Sequence, residues 1–283
     1  MILIADSGST KTQWCVAEAG EVVREIRTAG TNPYFQTPEE IREEIGTILY
    51  PAVASLPIEA VFFYGAGCAF PEKNRVVEEI LAAYFPRPIA VESDLTGAAR
   101  ALCGSRPGIA CILGTGSNSC LYDGQVITEH IPPLGFILGD EGSGAVLGRR
   151  LAADWMKRQL PEALAEKFSR HYALTPAVLL ENVYKRPFPN RFLASLSPFL
   201  LEHIEEPVVH ALVSDSFRAF FTRNVMAYTD YARYPVHFTG SIAYYYRQVL
   251  QETAADLGIT IGRIEQEPIS GLLAYHAAGL SAS

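Results

Sequence analysis

No apolar run in this chain approaches the ~20 residues that a bilayer-spanning helix needs. No stretch is basic either, and the net charge is -8. Nucleic acid and anionic membrane surfaces are therefore excluded as expected partners. An anionic nucleotide would have to be held by local donors and not by a global field. The chain lacks H-E-x-x-H among its six histidines and C-x-x-C among its five cysteines, so a zinc hydrolase is not supported. Cys15, Cys68, Cys103, Cys111 and Cys120 are odd in number and scattered through mostly apolar segments. They read as small core residues of a cytosolic protein. Met1 leads straight into a short strand that meets a charge at Asp6, which does not resemble a secretory leader. The expected location is cytoplasmic.

What is present is a globular profile: 49% apolar and 19% charged residues over 283 positions. That suffices for one large domain or two of ordinary size. The most informative stretch runs from Ile2 to Cys15. An apolar run reaches Asp6, then the polar turn Ser7-Gly8-Ser9-Thr10-Lys11, then a second apolar run. The pattern predicts strand, turn, strand. Gly8 permits close backbone approach, and Ser9, Thr10 and Lys11 offer hydroxyl and ammonium donors suited to a phosphate chain. Asp6 at the strand end could hold Mg²⁺ directly or through water. An ordinary hairpin with a polar turn would read the same way on this segment alone.

A second copy shifts the balance. Ala110 to Gly124 repeats the plan, with Thr115-Gly116-Ser117 falling on Ser7-Gly8-Ser9 and Gly114 on Asp6. Each copy is followed by a turn glycine, Gly20 or Gly124, and a third strand. One donor-rich hairpin per half suggests a duplicated domain with a shared ligand. Only the first copy keeps its carboxylate, which fits a metal-phosphate ligand held from two sides.

Between the hairpins, Thr37-Pro38-Glu39-Glu40 opens a helix to about Leu49, with Thr37 as N-cap and Glu40 completing a capping box. A strand over 59–64 enters Gly65-Ala66-Gly67-Cys68, a helix spans 71–85, and a strand over 88–92 ends at Ser93-Asp94. A helix over 95–103 follows. The order β-β-β-α-β-α-β-α implies a mixed sheet flanked by helices. Gly104-Ser105-Arg106-Pro107-Gly108 is the expected domain boundary. The second half restarts with the hairpin, then Gly139-Asp140-Glu141-Gly142-Ser143-Gly144 enters a helix to about Gln159. Residues 161–203 read as an inserted helical subdomain. A long helix spans 207–228, Val236 to Ile242 is a strand entering a helix through Gly240-Ser241, and a last strand and helix cover 259–264 and 269–280.

The two hairpins, the Gly240-Ser241 strand end and the segment Leu138 to Gly144 resemble the superfamily of sugar and acetate kinases, actin and the heat-shock chaperone ATPases. Within it the chain resembles the N-acetylglucosamine kinase-like branch of the BadF/BadG ATPase family, over essentially its whole length. The resemblance implies an α/β fold of two ribonuclease-H-like, actin-like ATPase lobes with a ligand cleft between them. The first lobe would be 1–106, with the helix from 269 packing back on it. The second would be 107–268, with the helical insertion at about 161–203. It implies ATP-dependent phosphorylation of N-acetylglucosamine or a related amino sugar, with ATP and Mg²⁺ as cofactors. Ser9, Thr10 and Lys11, with Gly114, Thr115, Gly116 and Ser117, would hold the phosphates, and Gly240-Ser241 would approach adenosine. Asp6 would organise the metal. Asp94 would be the catalytic base and touch the sugar. Asn32, Gly65, Gly67 and Asp140 would grip the sugar. The partners are the sugar and ATP, with a homodimer allowed.

Two departures bear on the sugar. Relatives carry Gly-Trp-Gly where this chain has Pro133-Leu134-Gly135-Phe136, and Asn-His where it has Asn32-Pro33. Plainer readings stand beside each site. Asp94 and Asp140 also suit helix N-termini, Lys11 suits a solvated turn, and Asn32 suits a turn before proline. Glu141 reads as structural, and Tyr244-Tyr245-Tyr246 as packing. Two other functions compete. An ATPase activator of an iron–sulfur dehydratase would need cysteines placed to bridge a cluster. A non-catalytic sugar- or nucleotide-binding protein would not need Asp6 and Asp94.

Overall fold

The computed structural model describes residues 1–8 and 10–281. It resolves two compact units, one of Met1–Gly108, Tyr122–Thr128 and the stretch from Glu267 on, the other of Ile109–Leu121 and Glu129–Gln266.

The first unit is built on a hairpin-led sheet. Strands β1 (Ile2–Ser7), β2 (Lys11–Glu18) and β3 (Glu21–Ala29) are followed by β4 (Ala60–Gly65) and β5 (Ile89–Ser93), in the order β3-β2-β1-β4-β5. β2 runs antiparallel to β1 and β3, while β4 is parallel to β1 and β5 to β4, so the sheet is mixed as its element order implies. Strand alternation sends Leu3, Ala5, Trp14, Val16, Val61 and Phe63 to one face. There they meet α1 (Pro38–Glu44), α2 (Tyr50–Val53) and α3 (Pro71–Ala82) through Ile41, Val53, Val77 and Ile80. Ile4, Cys15, Ala17 and Tyr64 point to the other face, against α4 (Asp94–Cys103) and the last helix, α14 (Ile269–Ser281). Each large side chain so buried contributes about 1.5–3 kcal/mol.

The helix at Pro38 begins as its sequence dictates. Thr37 accepts from the Glu40 N–H and Glu40 accepts from the Thr37 N–H, a full capping box. It does not run straight to Leu49, because a π-helical turn over Ile45–Leu49 interrupts it before α2. A side chain on Gly46 within that turn would collide with the Tyr84 ring and hydroxyl.

The second unit holds the sheet β10-β9-β6-β7-β8, formed by β6 (Gly108–Leu113), β7 (Ser117–Tyr122), β8 (Ile127–His130), β9 (Val236–Thr239) and β10 (Ile261–Glu265). After β8 come α5 (Gly135–Leu138) and α6 (Gly144–Met156). Four short helices follow, α7 (Glu162–His171), α8 (Pro176–Tyr184), α9 (Pro189–Ala194) and α10 (Ser197–Glu202), each bounded by the prolines that break the periodicity. Then come α11 (Pro207–Arg223), α12 (Ser241–Tyr245) and α13 (Arg247–Asp256). α11 stops at Arg223, short of the expected Tyr228, and a single turn of 3₁₀ helix, Val225–Ala227, replaces its end, with another following at Tyr231–Arg233. The Tyr228 ring is buried and its hydroxyl bonds the Ser119 hydroxyl at 2.7 Å. One aromatic-rich core gathers Ile109, Leu113, Phe168, Phe217, Phe220 and Phe238.

Candidate active site

In the first unit the parallel strands end together. Register pairs Ser7 of β1 with Gly65 of β4, and Gly65 with Ser93 of β5. Asp6, the Gly65–Gly67 turn and Asp94 therefore share the carboxyl end of the sheet, the place where open α/β sheets bind ligands. The loop carrying Asn32 is tied to the same end. The buried Ser7 hydroxyl accepts from the Thr31 N–H at 2.9 Å and contacts the Thr12 hydroxyl at 2.7 Å. Asn32 is buried, and its side-chain oxygen accepts from the Tyr34 N–H at 2.9 Å. Gly67 has φ +81, and a Cβ there would collide with that oxygen. The Asn32 loop and the Gly67 turn thus pack directly together, and only glycine fits between them.

Asp94 is not the cap of its helix. Ser93 is, accepting from the Thr96 N–H at 3.1 Å. The Asp94 carboxylate accepts only locally, from the Leu95 N–H at 2.9 Å. Burial raises its pKa to about 6, against the lowering effect of that N–H. Asp6 is pushed to about 7, first by burial, then by the Asp94 and Glu267 charges, with Lys11 opposing. The charge of Asp94 also helps burial raise the Cys68 thiol to about 12. Lys11 forms an ion pair with Glu267, just before α14. Ser9, expected beside Thr10 at the phosphates, lies outside the described residues. Thr10 is exposed, and its carbonyl accepts from the Gly30 N–H at 3.1 Å.

The second hairpin has its own brace. The Gly114 N–H donates to the Gly116 carbonyl at 2.9 Å, closing a tight turn. The first N–H groups of α6 return to it, Gly144 to the Gly114 carbonyl at 2.9 Å and Ala145 to the Thr115 carbonyl at 3.1 Å. Asp140 sits in the left-handed region, φ 53, and is buried. Its carboxylate lies so close that a Cβ on Gly116 would be 3.0 Å from Oδ2. Burial raises its pKa to about 6, while the Ser117 N–H, bonded to it, acts in the opposite sense. Asp140 is therefore in contact with Gly116 and Ser117, a pairing invisible in the sequence. The cap of α6 is Ser143, accepting from the Val146 N–H at 3.2 Å. Glu141 pairs with Arg223 at 2.6 Å, a structural role.

Gly240 has φ +112, and any side chain there would collide with the Leu113 carbonyl, so β9 can turn into α12 only through glycine. The tyrosines after Ser241 divide their work. Tyr246 is buried and donates to the Ser197 carbonyl at 2.5 Å. Tyr245 is half exposed and lines a cavity of about 520 Å³ with Pro207, His210, Ser214 and Gln248.

Two residues escaped the sequence reading. Glu267 lies in a connection and meets Lys11 only through the fold. Gln13, directly opposite Asp6 on β2, is 5% exposed, and its Oε1 has no hydrogen-bond partner among the described residues. A glutamine inside the otherwise apolar Trp14-Cys15-Val16-Ala17 strand was the available signal. Among the described residues no group of three or more His, Cys, Asp or Glu side chains is arranged to hold a metal ion. All five cysteines are buried.

No protein-family model and no curated protein sequence matches the chain. Solved structures do. A "putative N-acetylglucosamine kinase" from Porphyromonas gingivalis is 48% identical, with 99% of this chain and 100% of that one covered at a TM-score of 0.96. One of the same name from Chromobacterium violaceum is 18% identical over 97% of this chain and 99% of that one, TM-score 0.67. A ROK-family glucokinase from Streptomyces griseus, solved with glucose and AMPPNP, is 17% identical over 99% and 98%, TM-score 0.56. The last two share the fold. With near-complete mutual coverage at 48% identity to the first, the chain belongs to the N-acetylglucosamine kinase-like family, built on the α/β fold of the sugar kinases and actin-like ATPases.

Proposed function

We propose that this protein phosphorylates N-acetylglucosamine or a related amino sugar at the expense of ATP, with Asp94 as general base. The observation that carries the reading is a half-buried carboxylate at a strand end, its pKa raised to about 6 by desolvation, released from helix capping by Ser93. Such a group can take a proton at neutral pH. In the reaction the sugar hydroxyl gives its proton to the Asp94 carboxylate. The hydroxyl oxygen forms a bond to the γ-phosphorus, the bond to the β–γ bridging oxygen breaks, and ADP leaves. Little covalent work is asked of the protein, so positioning and charge neutralisation dominate. Asn32, Gly65, Gly67 and Asp140 orient the sugar in this reading. Thr10, Lys11 and Gly114 to Ser117 receive phosphate oxygens, and Gly240-Ser241 the adenosine end, with Tyr245 at the rim of the neighbouring cavity.

The acidic set around Asp6 fits a hard divalent cation, which takes carboxylate oxygen and relieves the mutual repulsion. Mg²⁺ commonly needs only one or two carboxylates besides water and substrate phosphates. Asp6 would hold it, and it would neutralise developing phosphate charge. The BadF/BadG placement, a cytoplasmic setting and the division into lobes at 106/107 belong to the same proposal. Nothing in the buried cysteines favours the cluster-bearing alternative.

The test is Asp94→Asn with a panel of hexoses, amino sugars and N-acetyl amino sugars. Wild type should consume ATP with an N-acetyl amino sugar. In the variant kcat should fall by about 10²–10⁴ with ATP affinity kept. A soluble variant keeping more than about a tenth of wild-type kcat, well outside that range, removes Asp94 as the base.

A further inference from the structure

A buried amide oxygen without a partner costs about 1–3 kcal/mol, and folded proteins rarely leave one. Gln13 Oε1 is such an atom. It belongs to an almost fully buried side chain on β2, at the position paired with Asp6 on β1. Directly opposed residues of an antiparallel pair put their side chains on the same face, with Cβ atoms about 4.5–5.5 Å apart. The unpaired oxygen thus shares a face with the carboxylate of Asp6, on which two further acids act, Asp94 and Glu267. Among the described residues, the cation acting on Asp6 is Lys11, which is already paired with Glu267. The site has a surplus of hard oxygen and too little positive charge. A donor hydroxyl or N–H would satisfy Gln13 alone, but would leave the acids uncompensated. A divalent cation with its bound waters satisfies both.

We infer that Gln13 is a positioning residue of the divalent-cation site at Asp6, its Oε1 accepting from a cation-bound water or meeting the cation directly. The inference rests on the proposed kinase reading for the identity of the cation. A neutral oxygen suits this task, because a further carboxylate beside Asp6, Asp94 and Glu267 would add repulsion whenever the cation leaves. The neighbouring face residue Cys15 is apolar in behaviour and can supply nothing comparable.

The experiment uses Mn²⁺ as probe on the intact chain, alone and with ADP, with free Mn²⁺ followed by electron paramagnetic resonance. Gln13→Met keeps length and shape but removes the hard oxygen. Partners in the shell around a metal's direct ligands typically cost 10–100-fold in affinity when mutated, so Mn²⁺ should bind 10–100-fold more weakly. The metal-free variant should melt no lower than wild type, since an unpaired polar atom has been removed. Gln13→Glu, of nearly the same shape, should bind Mn²⁺ several-fold more tightly. It keeps the test decisive if the methionine variant does not fold. Unchanged Mn²⁺ affinity in either folded variant, or a wild type that binds no Mn²⁺ with or without ADP, overturns the inference. A wild type that phosphorylates amino sugars while Gln13→Met binds Mn²⁺ normally sinks the inference and spares the kinase reading. Mn²⁺ binding that depends on Gln13 in a protein that phosphorylates no sugar does the reverse.

Discussion

At the scale of single residues, two aspartates that look alike in sequence have different surroundings. Asp94 opens one helix and Asp140 precedes another, and in both cases a serine takes the capping duty, Ser93 for one and Ser143 for the other. Asp94 is left with its own helix's first N–H, while Asp140 is engaged with the Ser117 N–H. The raised pKa of Asp94, about 6, sets a pH dependence. The base must be ionised, so sugar phosphorylation under saturating Mg²⁺ should be level above pH ~7.5 and fall toward tenfold per unit below pH ~6. A carboxylate with an ordinary pKa of about 3.9 would keep activity flat to pH ~5. A pH–kcat/KM profile flat to that point would contradict the buried-base account.

At the scale of elements, the helix that carries Asp94 is fixed by close packing and by a buried polar network. Gly271 of α14 lies so near α4 that a Cβ would collide with the Ala101 carbonyl and approach its Cα to 2.8 Å. Beside this contact the Tyr64 hydroxyl accepts from Arg100 at 3.1 Å and meets His276 Nε2 at 2.9 Å, while Arg100 pairs with Glu92 at 2.7 Å. His276 also stacks on Phe62, with ring centroids 3.8 Å apart. Gly271→Ala should push the two helices apart and destabilise by about 1–3 kcal/mol, the usual range for overpacking. That corresponds to a melting temperature lower by several degrees, at about 2–4 °C per kcal/mol. A melting temperature equal to wild type would show that the helices are not pinned at this glycine, since alanine is otherwise the better helix former.

At the scale of the whole molecule, three desolvated acids and a buried histidine pull stability in opposite directions with pH. Asp6, Asp94 and Asp140 have pKa values raised to about 7, 6 and 6. Their contribution is fully present below the ordinary carboxyl pKa and is lost as pH rises through 6 to 7. His276 is depressed to about 4 by burial and by Arg100. Its contribution is present above the ordinary histidine pKa and is lost as pH falls toward 4. Between pH ~8 and ~5.5 three carboxyls gain while one histidine has begun to lose. The remaining ion pairs lie largely at the surface and weigh little. The metal- and ligand-free protein should therefore melt higher at pH ~5.5 than at pH ~8. A melting temperature that falls steadily over that interval would show that these acids are not strained in the fold.

The chain by itself determined whatever is decided within a few residues. The capping box at Thr37 and Glu40, the two donor-rich hairpins and the prolines that cut 161–203 into short helices were all legible. Each depends on local hydrogen bonding or on side-chain periodicity. The recurrence of one hairpin in each half was legible too, because repetition needs no partner to be seen. What only the tertiary structure decided depends on pairing across sequence distance. Ser93 and not Asp94 caps α4, since a strand-to-helix junction offers two adjacent candidates and the backbone angles choose. The π-helical turn at Ile45 lies where a side chain on Gly46 would meet Tyr84, 38 residues on. Lys11 finds Glu267 across 256 residues, and Asp140 reaches back to Ser117. The unpartnered Oε1 of Gln13 could not be known before the register set it opposite Asp6, because a buried group's lack of a partner is a property of everything folded around it.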